Sequence, residues 1–291
     1  MRSKAVADVS GSESTRTGSL YLVGTPIGNL EDITLRAMRT LREMDLVACE
    51  DTRLTQKLLN HYEIKTRTTS YHEHNERTKA AELVLRLQKG ARIALVSDAG
   101  MPAISDPGYR LVQLCIQHKI PVIPIPGPTA IVSAVVASGL PTHAFQFVGF
   151  PPVKRNLRRK FFEELASYPS TSIFFESSHR IMETLAGVLE VLGDRQIVLG
   201  REITKLHEEF LRGTCSEVLE TVRGRPRLPG EMTVLIEGAS KSIASAAVSQ
   251  PLSERVDQLM KEGKLGRMDA IKAVARERKI SKSQVYREYK P

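Results

Sequence analysis

One stretch of this chain decides its fold: Leu95-Val96-Ser97-Asp98-Ala99-Gly100-Met101-Pro102-Ala103-Ile104-Ser105-Asp106-Pro107-Gly108. The apolar run from Ile93 to Val96 predicts a buried strand, and Pro107 is placed as a helix start. A plain strand-to-helix connection needs only a few residues and no pair of aspartates. Because open α/β sheets bind ligands at the carboxyl ends of their strands, we interpret the stretch as a ligand-binding loop.

The composition is that of a soluble globular protein with two domains or one large one. The chain has 291 residues, of which 41% are hydrophobic and 26% charged. Its formal net charge of +9 is compatible with a polyanionic partner but does not establish one. Cys49, Cys115 and Cys215 lie far apart, which disfavours disulfides and favours a reducing cytoplasm. His72 and His74 have no third ligand nearby, so we expect no metal.

Two segments could be mistaken for targeting or membrane elements. Residues 1–18 are polar and lack the apolar core of a signal peptide, so we expect a disordered tail. The uncharged run from Ile120 to Thr142 is broken by four prolines in its first half. What remains, 129–138, is shorter than the about 20 residues that a membrane span needs. We therefore expect no membrane contact.

Strands and helices alternate through the first block of the chain. This order predicts a mostly parallel sheet covered by helices on both faces. The predicted strands are Leu20–Val23, Leu46–Cys49, Thr68–Ser70, Ile93–Ser97 and Pro121–Pro124. The predicted helices are Asp32–Met44 with Asp32 as its N-cap, Arg53–His61, Asn75–Lys89, Pro107–His118 and one that opens after Thr129.

A second α/β unit of less regular order follows. Its predicted strands are Gln146–Val148, Ser172–Phe175, Gln196–Leu199, Glu208–Arg212 and Thr233–Glu237, and its predicted helices are Leu157–Ala166, Ile181–Leu192 and Ser216–Val222. The run 239–250 is rich in Ala and Ser, as linkers are. We therefore divide the chain into a tail (1–18), two α/β domains (19–138 and 139–238), the linker (239–250) and a terminal segment (251–291).

The terminal segment is basic, with eleven Lys or Arg against six Asp or Glu. We expect one helix over Met268–Arg278 and a second that starts at Ser281, where Ser281 and Gln284 form a capping-box pattern. This arrangement resembles a helix-turn-helix module whose second helix would present Lys282 and Arg287 to a nucleic acid. The alternative is a solvated helical hairpin packed on the body.

Two more loops are expected at the sheet edge that carries the opening stretch. Gly24-Thr25-Pro26-Ile27-Gly28-Asn29-Leu30 follows the first strand, and Pro124-Ile125-Pro126-Gly127-Pro128-Thr129-Ala130 follows the fifth. The first loop has the spacing Gly-x-x-x-Gly, which is not the dinucleotide fingerprint Gly-x-Gly-x-x-Gly, and no P-loop pattern is present. The convergence of three loops is more informative than any one of them.

These loops and four further motifs resemble the tetrapyrrole methylase superfamily, over Leu20 to about Gly238. The further motifs are Glu50-Asp51-Thr52-Arg53, Tyr71–Glu76, Phe174–Arg180 and Arg201–Glu209. Glu-Asp-Thr-Arg and Ser-His-Arg are typical of the branch that methylates ribosomal RNA. Methylases of porphyrin precursors usually carry a more Gly-rich first loop with Pro-Gly-Asp after it, where this chain has Ile27-Gly28-Asn29.

The resemblance implies two α/β domains with a cofactor cleft between them and S-adenosyl-L-methionine as the cofactor. It implies methyl transfer to the ribose 2′-hydroxyl of a cytidine in 16S rRNA of the small ribosomal subunit, by a homodimer. The implied cofactor contacts are Pro26, Asp98, Met101, Thr129, Ala130, Phe175, Glu176, Gly230, Glu231 and Met232. Asp98 suits the ribose hydroxyls or the ammonium group of such a cofactor.

The reaction needs alignment of the ribose oxygen with the methyl group and a base for the hydroxyl proton. Spacing does not single out one base among Glu50, Asp51, His179, Lys205 and Glu208, while Arg53, Arg180 and Lys205 could instead hold phosphates. We take as catalytic candidates Glu50, Arg53, His179 and Lys205. A local Glu50–Arg53 ion pair and a helix cap at His179 and Arg180 are the structural alternatives.

A basic run provides further candidates for RNA contact, namely Lys154, Arg155, Arg158 and Arg159. A solvated helix face is the alternative for this run. Three other functions stay open: a methylase of the same fold for a small tetrapyrrole-like substrate, a non-catalytic rRNA-binding assembly protein and, more distantly, a nicotinamide-dependent oxidoreductase.

Overall fold

The structure is a computed structural model that describes residues 18–239, 251–263, 265–278 and 280–289. The chain divides into two compact units. Unit 1 comprises residues up to Ala137 together with Arg201–Glu209, and unit 2 comprises Ser138–Gly200 and residues from Phe210 onward. The predicted tail and linker lie outside the described residues, apart from Gly18 and Ala239.

Unit 1 is built on a five-stranded sheet in which every described pairing is parallel, as the sequence predicted. Its strands are β1 Ser19–Val23, β2 Leu46–Cys49, β3 Thr68–Ser70, β4 Arg92–Leu95 and β5 Val122–Ile125, in the order β3-β2-β4-β1-β5. Leu20 of β1 lies opposite Ile93 on one side and Val122 on the other. β1 is therefore interior, and the loop after it lies between those of β4 and β5.

Helices cover both faces of this sheet. They are α1 Leu35–Glu43, α2 Thr52–His61, α3 Glu76–Gln88, α4 Tyr109–Gln117 and α5 Ala130–Ser138. Side chains alternate along each strand. Accordingly Leu20 and Ile93 share a buried cluster with α3 and α4, while Val47 and Ala94 share one with α1 and α2.

Two predicted helix starts in unit 1 are wrong. Thr34, not Asp32, is the N-cap of α1, because the Thr34 hydroxyl accepts the backbone N–H of Ala37 at 3.0 Å. Asp32 ends a short 3-10 turn, Leu30–Asp32. The helix α4 starts at Tyr109 rather than Pro107, because Gly108 has a φ of +151° that is outside the helical region.

Unit 2 is built on a second five-stranded sheet, which contains both parallel and antiparallel pairs. Its strands are β6 Phe145–Phe147, β7 Thr171–Ser177, β8 Gln196–Arg201, β9 Glu209–Thr214 and β10 Glu231–Ile236, in the order β6-β7-β10-β8-β9. β6 is parallel to β7, whereas β10 is antiparallel to it. The helices α6 Arg155–Leu165, α7 Ile181–Leu192 and α8 Cys215–Arg223 contribute to its core.

The described residues of the terminal segment form three helices, one more than predicted. They are α9 Leu252–Gly263, α10 Arg267–Glu277 and α11 Lys282–Glu288. Val256, Ile271, Val274 and Val285 form their shared core. Ser281 caps α11 as predicted, since its hydroxyl accepts the N–H of Gln284. The helix α9 was missed although Leu252, Val256 and Leu259 recur at helical spacing.

Within the described part of the chain, no helix has both the length and the apolar character needed to cross a membrane.

Candidate active site

The structure brings three loops together at the carboxyl edge of the first sheet. Thr25, after β1, exchanges two backbone hydrogen bonds with Gly100, after β4: the Thr25 N–H donates at 2.9 Å and the Gly100 N–H at 3.1 Å. The Thr25 hydroxyl also donates to the carbonyl of Ser97 at 3.1 Å. These bonds fix the first and fourth loops to each other.

The first and fifth loops touch through glycines. A Cβ built on Gly24 would lie 2.8 Å from the Cα of Gly127, and one built on Gly127 would lie 2.8 Å from the Cα of Gly24. No other residue type fits such an approach. The Sδ of Met101 would lie 2.8 Å from the same Cβ of Gly24. Met101 and the segment leading to Thr129 are therefore held against the first loop.

The fourth loop contains a strained backbone. Ala103 and Ser105 have φ values of +68° and +61°, in the left-handed region that non-glycine residues rarely adopt. Each such residue costs about 1–3 kcal/mol and persists only where the surroundings impose it. A loop that retains two of them is typical of a ligand-binding site, which agrees with its interpretation from sequence.

Asp98 lies exposed in this loop and joins it to the end of β2. Its Oδ1 accepts the backbone N–H of Asp51 at 3.1 Å. Asp51 in turn caps α2 by accepting the N–H of Arg53 at 2.8 Å, and it also binds the guanidinium of Arg53. These bonds hold the pKa of Asp51 at about 2. The local ion pair is therefore Asp51–Arg53 and not the Glu50–Arg53 pair considered from sequence.

Carboxylates crowd the same edge. Burial, followed by the charge of Asp98, raises the pKa of Glu50. Burial and the nearby Glu50 raise the pKa of Asp106 to about 6, although a hydrogen bond from Ser97 opposes the shift. Glu50 and Asp106 line a cavity of about 450 Å³ together with Glu73 and Glu76.

The sequence placed Asp106 in the predicted ligand-binding loop and Glu73 and Glu76 in a family motif, but it did not single out any of the three as a site residue. The signal was present, because all three lie near the carboxyl ends of parallel strands, which meet at one edge. Residues at that edge come from separate parts of the chain, and their distances cannot be read from spacing.

A second cavity of about 470 Å³ lies on the α2 side of the first loop. Pro26, Gly28 and Asp98 contribute to it from the loops, and Lys57, His61 and Lys205 bring basic groups. Its remaining walls are largely apolar, from Ile27, Leu30, Leu54 and Leu58. Pro26 and Asp98, both predicted cofactor contacts, thus lie beside this cavity.

Lys205 enters unit 1 on the segment Arg201–Glu209. Its aliphatic stem packs on Gly28, so that a Cβ there would lie 2.3 Å from the Cγ of Lys205. Its ammonium group lies 2.9 Å from the carboxylate of Glu202. The segment is anchored by the hydroxyl of Thr204, which donates to the carboxylate of Asp32.

In unit 2, the structure gives several predicted cofactor contacts an internal role. Glu176 is 3% exposed, and its carboxylate accepts from the Thr184 hydroxyl at 2.6 Å and from the Ser177 N–H at 2.8 Å. Arg180 lies 3.3 Å from the same carboxylate. Met232 is buried in the core of unit 2. The side chains of Glu176 and Met232 are therefore both buried inside unit 2. Either residue could contact a cofactor only through its backbone.

The other predicted residues of unit 2 are more accessible. The half-buried ring of Phe175 packs on Phe147 and Phe150, with centroids 4.8 and 5.6 Å away. Gly230 has a φ of +111°, and both Glu231 and His179 are exposed. Their roles stay predictions.

The predicted basic run is mostly paired with glutamates. Arg158 is 3% exposed and binds Glu183 and the carbonyl of Val153, so it is a structural residue and not the surface cation that the sequence suggested. Arg155 and Arg159 are exposed, and each forms an ion pair with Glu190. The exposed residues Lys154, Lys282 and Arg287 keep their predicted accessibility.

The fold and the site together define the class of protein. The family model described as Tetrapyrrole (Corrin/Porphyrin) Methylases matches residues 19–219, and the chain belongs to this family.

Several proteins of known name are similar to this chain over most of its length. The chain is 48% identical over 274 residues to "Ribosomal RNA small subunit methyltransferase I" of Halalkalibacterium halodurans, covering 94% of each chain. It is 42% identical over 275 residues to the protein of the same name from Streptococcus pyogenes serotype M1, covering 94% of this chain and 95% of the other. The Thermotoga maritima protein of that name is 48% identical over 221 residues, which cover 99% of it but 76% of this chain.

Solved structures agree on the fold. Uroporphyrin-III C-methyltransferase from Thermus thermophilus, solved with S-adenosylhomocysteine, is 21% identical, has a TM-score of 0.53 and covers 75% of this chain and 97% of that one. Cobalt precorrin-4 methyltransferase is 18% identical, with a TM-score of 0.55, and covers 75% of this chain and 94% of that one. The predicted fold class and family are thus confirmed.

Proposed function

We propose that this protein transfers the methyl group of S-adenosyl-L-methionine to the ribose 2′-hydroxyl of a cytidine in 16S rRNA of the small ribosomal subunit. The observation that carries the proposal is the 42–48% identity, over almost the whole chain, to enzymes named as methyltransferases of small-subunit ribosomal RNA. The three loops at the edge of the first sheet support it, because hydrogen bonds and close glycine contacts hold them together where this class of fold binds ligands.

The residues at this edge suit the cofactor. Its ammonium and sulfonium groups are cationic, and the edge carries the exposed carboxylate of Asp98 with Glu50 and Asp106 nearby. We assign cofactor binding in unit 1 to Pro26, Asp98, Met101, Thr129 and Ala130. In unit 2 we assign it to Phe175, Gly230 and Glu231, with Glu176 and Met232 shaping that region from inside. The bound cofactor supplies an activated methyl group.

Glu50 is the group that we assign as base for the 2′-hydroxyl proton. Its raised pKa makes its carboxylate a better proton acceptor than an ordinary glutamate. Asp51 is committed to Arg53, and Glu208 accepts the backbone N–H of Thr204 at 2.6 Å. Arg53, His179 and Lys205 remain candidates for contacts with the RNA backbone, since each carries a donor suited to phosphate oxygen.

The helices α9 to α11 supply a further RNA contact in this proposal. Tyr286 is 56% exposed, and the guanidinium of Arg267 lies 6.0 Å from its ring centre and 5.0 Å from that of Tyr289. Aromatic rings and guanidinium planes are surfaces on which unpaired RNA bases stack. Lys282 and Arg287 on α11, with Lys154, complete the proposed phosphate contacts. Arg155 and Arg159 are weaker contacts in this proposal, because each would have to leave Glu190.

Two further points extend the proposal. We place the protein in the cytoplasm, where its buried, unpaired cysteines stay reduced. We also propose a homodimer, which is supported by the exposed apolar face of α5, where Val132 and Val136 are 47% and 73% exposed. Sedimentation equilibrium of the wild type and of Val136→Asp tests it: a wild type that is a monomer at micromolar concentration contradicts the dimer.

The test of function is the transfer of labelled methyl groups to unmodified small subunits, with naked 16S rRNA in parallel, followed by nucleoside analysis. We expect label in 2′-O-methylcytidine. Asp98→Ala should weaken cofactor binding at least tenfold, and Glu50→Gln should lower kcat with little change in cofactor affinity. Label on a small tetrapyrrole instead, or rRNA binding without any transfer, would favour one of the alternative functions.

A further inference from the structure

Most of the lining of the 470 Å³ cavity beside the first loop comes from residues that are not predicted to contact the cofactor. Only Pro26 and Asp98 among its lining residues belong to the cofactor set. The opposite wall comes from α2 and from Lys205. A cavity with apolar walls and a few convergent polar groups, within the range of 300–1,000 Å³, is typical of a small-ligand site.

The helix α2 presents a basic face at this cavity. Arg53, Lys57 and His61 are four residues apart in turn, which places them on one side of a helix with a rise of about 6 Å per step. Lys57 is exposed and has no ion pair among the residues described. The side chain of Arg53 is 86% exposed at the start of this face.

The segment Arg201–Glu209 adds Lys205, which lines the cavity together with Lys57 and His61. Its backbone conformation is strained. Glu202 and Thr204 have φ values of +51° and +68°. The Thr204 hydroxyl bond to Asp32 and the packing of Lys205 on Gly28 hold this conformation. The strain places the stem of Lys205 over the first loop, and the ion pair with Glu202 fixes its ammonium group.

The two cavities described above carry opposite charges. The 450 Å³ cavity is lined by four carboxylates with Arg110 as the single basic side chain, and would repel a phosphate. The 470 Å³ cavity has Lys57, His61 and Lys205 against one carboxylate, Asp98. A ligand that carries a phosphate and a flat or apolar part therefore fits the second cavity and not the first.

We propose that the 470 Å³ cavity binds the RNA strand at a nucleotide next to the methylated one. Its apolar wall receives a base or ribose, while Lys57, His61 and Lys205 face the phosphate. This inference rests on the proposed function, because it takes the substrate to be RNA. Phosphate contacts of this kind position a strand without reading its sequence. Lys57 and His61 are positioning residues here and take no part in the proton transfer.

The test compares Lys57→Ala/His61→Ala with the matched variant Lys89→Ala. Lys89 is an exposed lysine of unit 1 between α3 and β4, at the edge where strands begin. We expect the double variant to raise KM for unmodified small subunits about tenfold or more, with kcat changed less than threefold. The slope of log Kd for 16S rRNA against log salt should fall by about 0.7 for the Lys57 cation lost from a single-strand phosphate. Lys57→Arg keeps the positive charge and should leave KM close to the wild-type value.

Cofactor affinity, measured by calorimetry without RNA, should be the same for all four proteins. An unchanged KM and salt slope in the double variant would overturn the proposal, as would a weakened cofactor affinity with unchanged rRNA binding, which would assign the cavity to the cofactor. A wild type that neither methylates nor binds rRNA would instead defeat the proposed function, which the rRNA binding measurement detects separately.

Discussion

The charged side chains of the two units are arranged in opposite ways. In unit 2, α6 and α7 face each other with complementary charges: Arg158 pairs with Glu183, and Arg155 and Arg159 pair with Glu190. In unit 1, the sheet edge holds Glu50, Asp98 and Asp106 close together. Burial and then the charge of Asp98 raise the pKa of Glu50, and burial and then the charge of Glu50 raise that of Asp106. We refer to these groups as the α6–α7 ion pairs and the sheet-edge carboxylates.

The difference indicates which charges serve the fold and which serve a ligand. The α6–α7 ion pairs are satisfied without any partner from outside the chain. The sheet-edge carboxylates repel each other, and a cationic group among them would relieve that repulsion. Perturbed titratable groups in a cavity are candidates for function on this ground. Removing a charge from the α6–α7 ion pairs should therefore destabilise the protein, and removing one of the sheet-edge carboxylates should stabilise it.

Arg158→Ala should have the largest effect on stability. Arg158 is buried, and its guanidinium binds Glu183 and the carbonyl of Val153, so its loss leaves a void and an unpaired carbonyl. Because a long buried side chain is truncated, we expect unfolding of unit 2 to become about 3 kcal/mol less unfavourable. Urea denaturation followed by circular dichroism measures it. Arg159→Ala, at a side chain 60% exposed, is the control and should change stability by at most about 0.5 kcal/mol.

An equal loss for both variants would contradict the assignment of Arg158 as structural. A drop in rRNA affinity for Arg158→Ala without a loss of stability would restore its original interpretation as an RNA contact.

Thr184→Val should have the second largest effect. The Thr184 hydroxyl is fully buried and donates to the Glu176 carboxylate at 2.6 Å. Valine keeps the shape but leaves one carboxylate oxygen with Arg180 alone, so we expect a loss of about 2 kcal/mol, as for a hydrogen bond to a charged group. Thermal unfolding tests this, with Thr184→Ser as the control that keeps the hydroxyl. Equal melting temperatures for the valine and wild-type proteins would contradict the proposed internal role of Glu176.

The parallel sheet and the loops at its edge could be predicted from sequence because they depend on local patterns. Apolar runs such as Ile93 to Val96 and the glycines of the first loop carry that information in a few adjacent residues. The start of α1 was misplaced because Asp32 and Thr34 are both good N-caps, and only the hydrogen bond to Ala37 decides between them.

The candidate site could be predicted only in part, because its electrostatics depend on residues far apart in sequence. The basic run at Arg155 is exposed, but Glu190, 35 residues later, forms an ion pair with Arg155. Likewise Lys205 lies on Gly28, and nothing in the spacing of these two residues indicates contact. Motifs identified the loops, but the sign of the charge at each cavity required the structure.

Asp106→Asn should stabilise the protein, and only at higher pH. The pKa of Asp106 is about 6 in the fold against an ordinary value of 3.8, so its ionisation costs folding free energy as the pH rises from about 4 to about 6. The asparagine variant avoids this cost above about pH 6 and gains nothing below about pH 4. Two pKa units correspond to roughly 3 kcal/mol, and we expect about 1 kcal/mol because solvent screens this partly exposed group.

Melting temperatures at pH 5 and pH 8 measure the effect. The difference between Asp106→Asn and wild type should be larger at pH 8. Glu43→Gln, an exposed position of α1 outside the sheet-edge carboxylates, should give the same small change at both pH values. A gain for Asp106→Asn that does not depend on pH would mean that burial and the neighbouring carboxylates do not raise the pKa of Asp106 in the fold.

Arg155→Ala/Arg159→Ala should have the smallest effect and compares the two basic helices directly. Both side chains are exposed, at 79% and 60%, so stability should change by at most about 1 kcal/mol. In an rRNA complex each arginine must exchange Glu190 for a phosphate, and the glutamate it leaves repels the RNA. We therefore expect the salt slope of rRNA binding to fall by less than half the fall caused by Lys57→Ala/His61→Ala. Fluorescence titrations between 50 and about 200 mM salt give both slopes. Equal slopes would mean that the α6–α7 ion pairs open for RNA at no greater cost than the binding of RNA by Lys57, which has no ion pair to break within the described part of the chain.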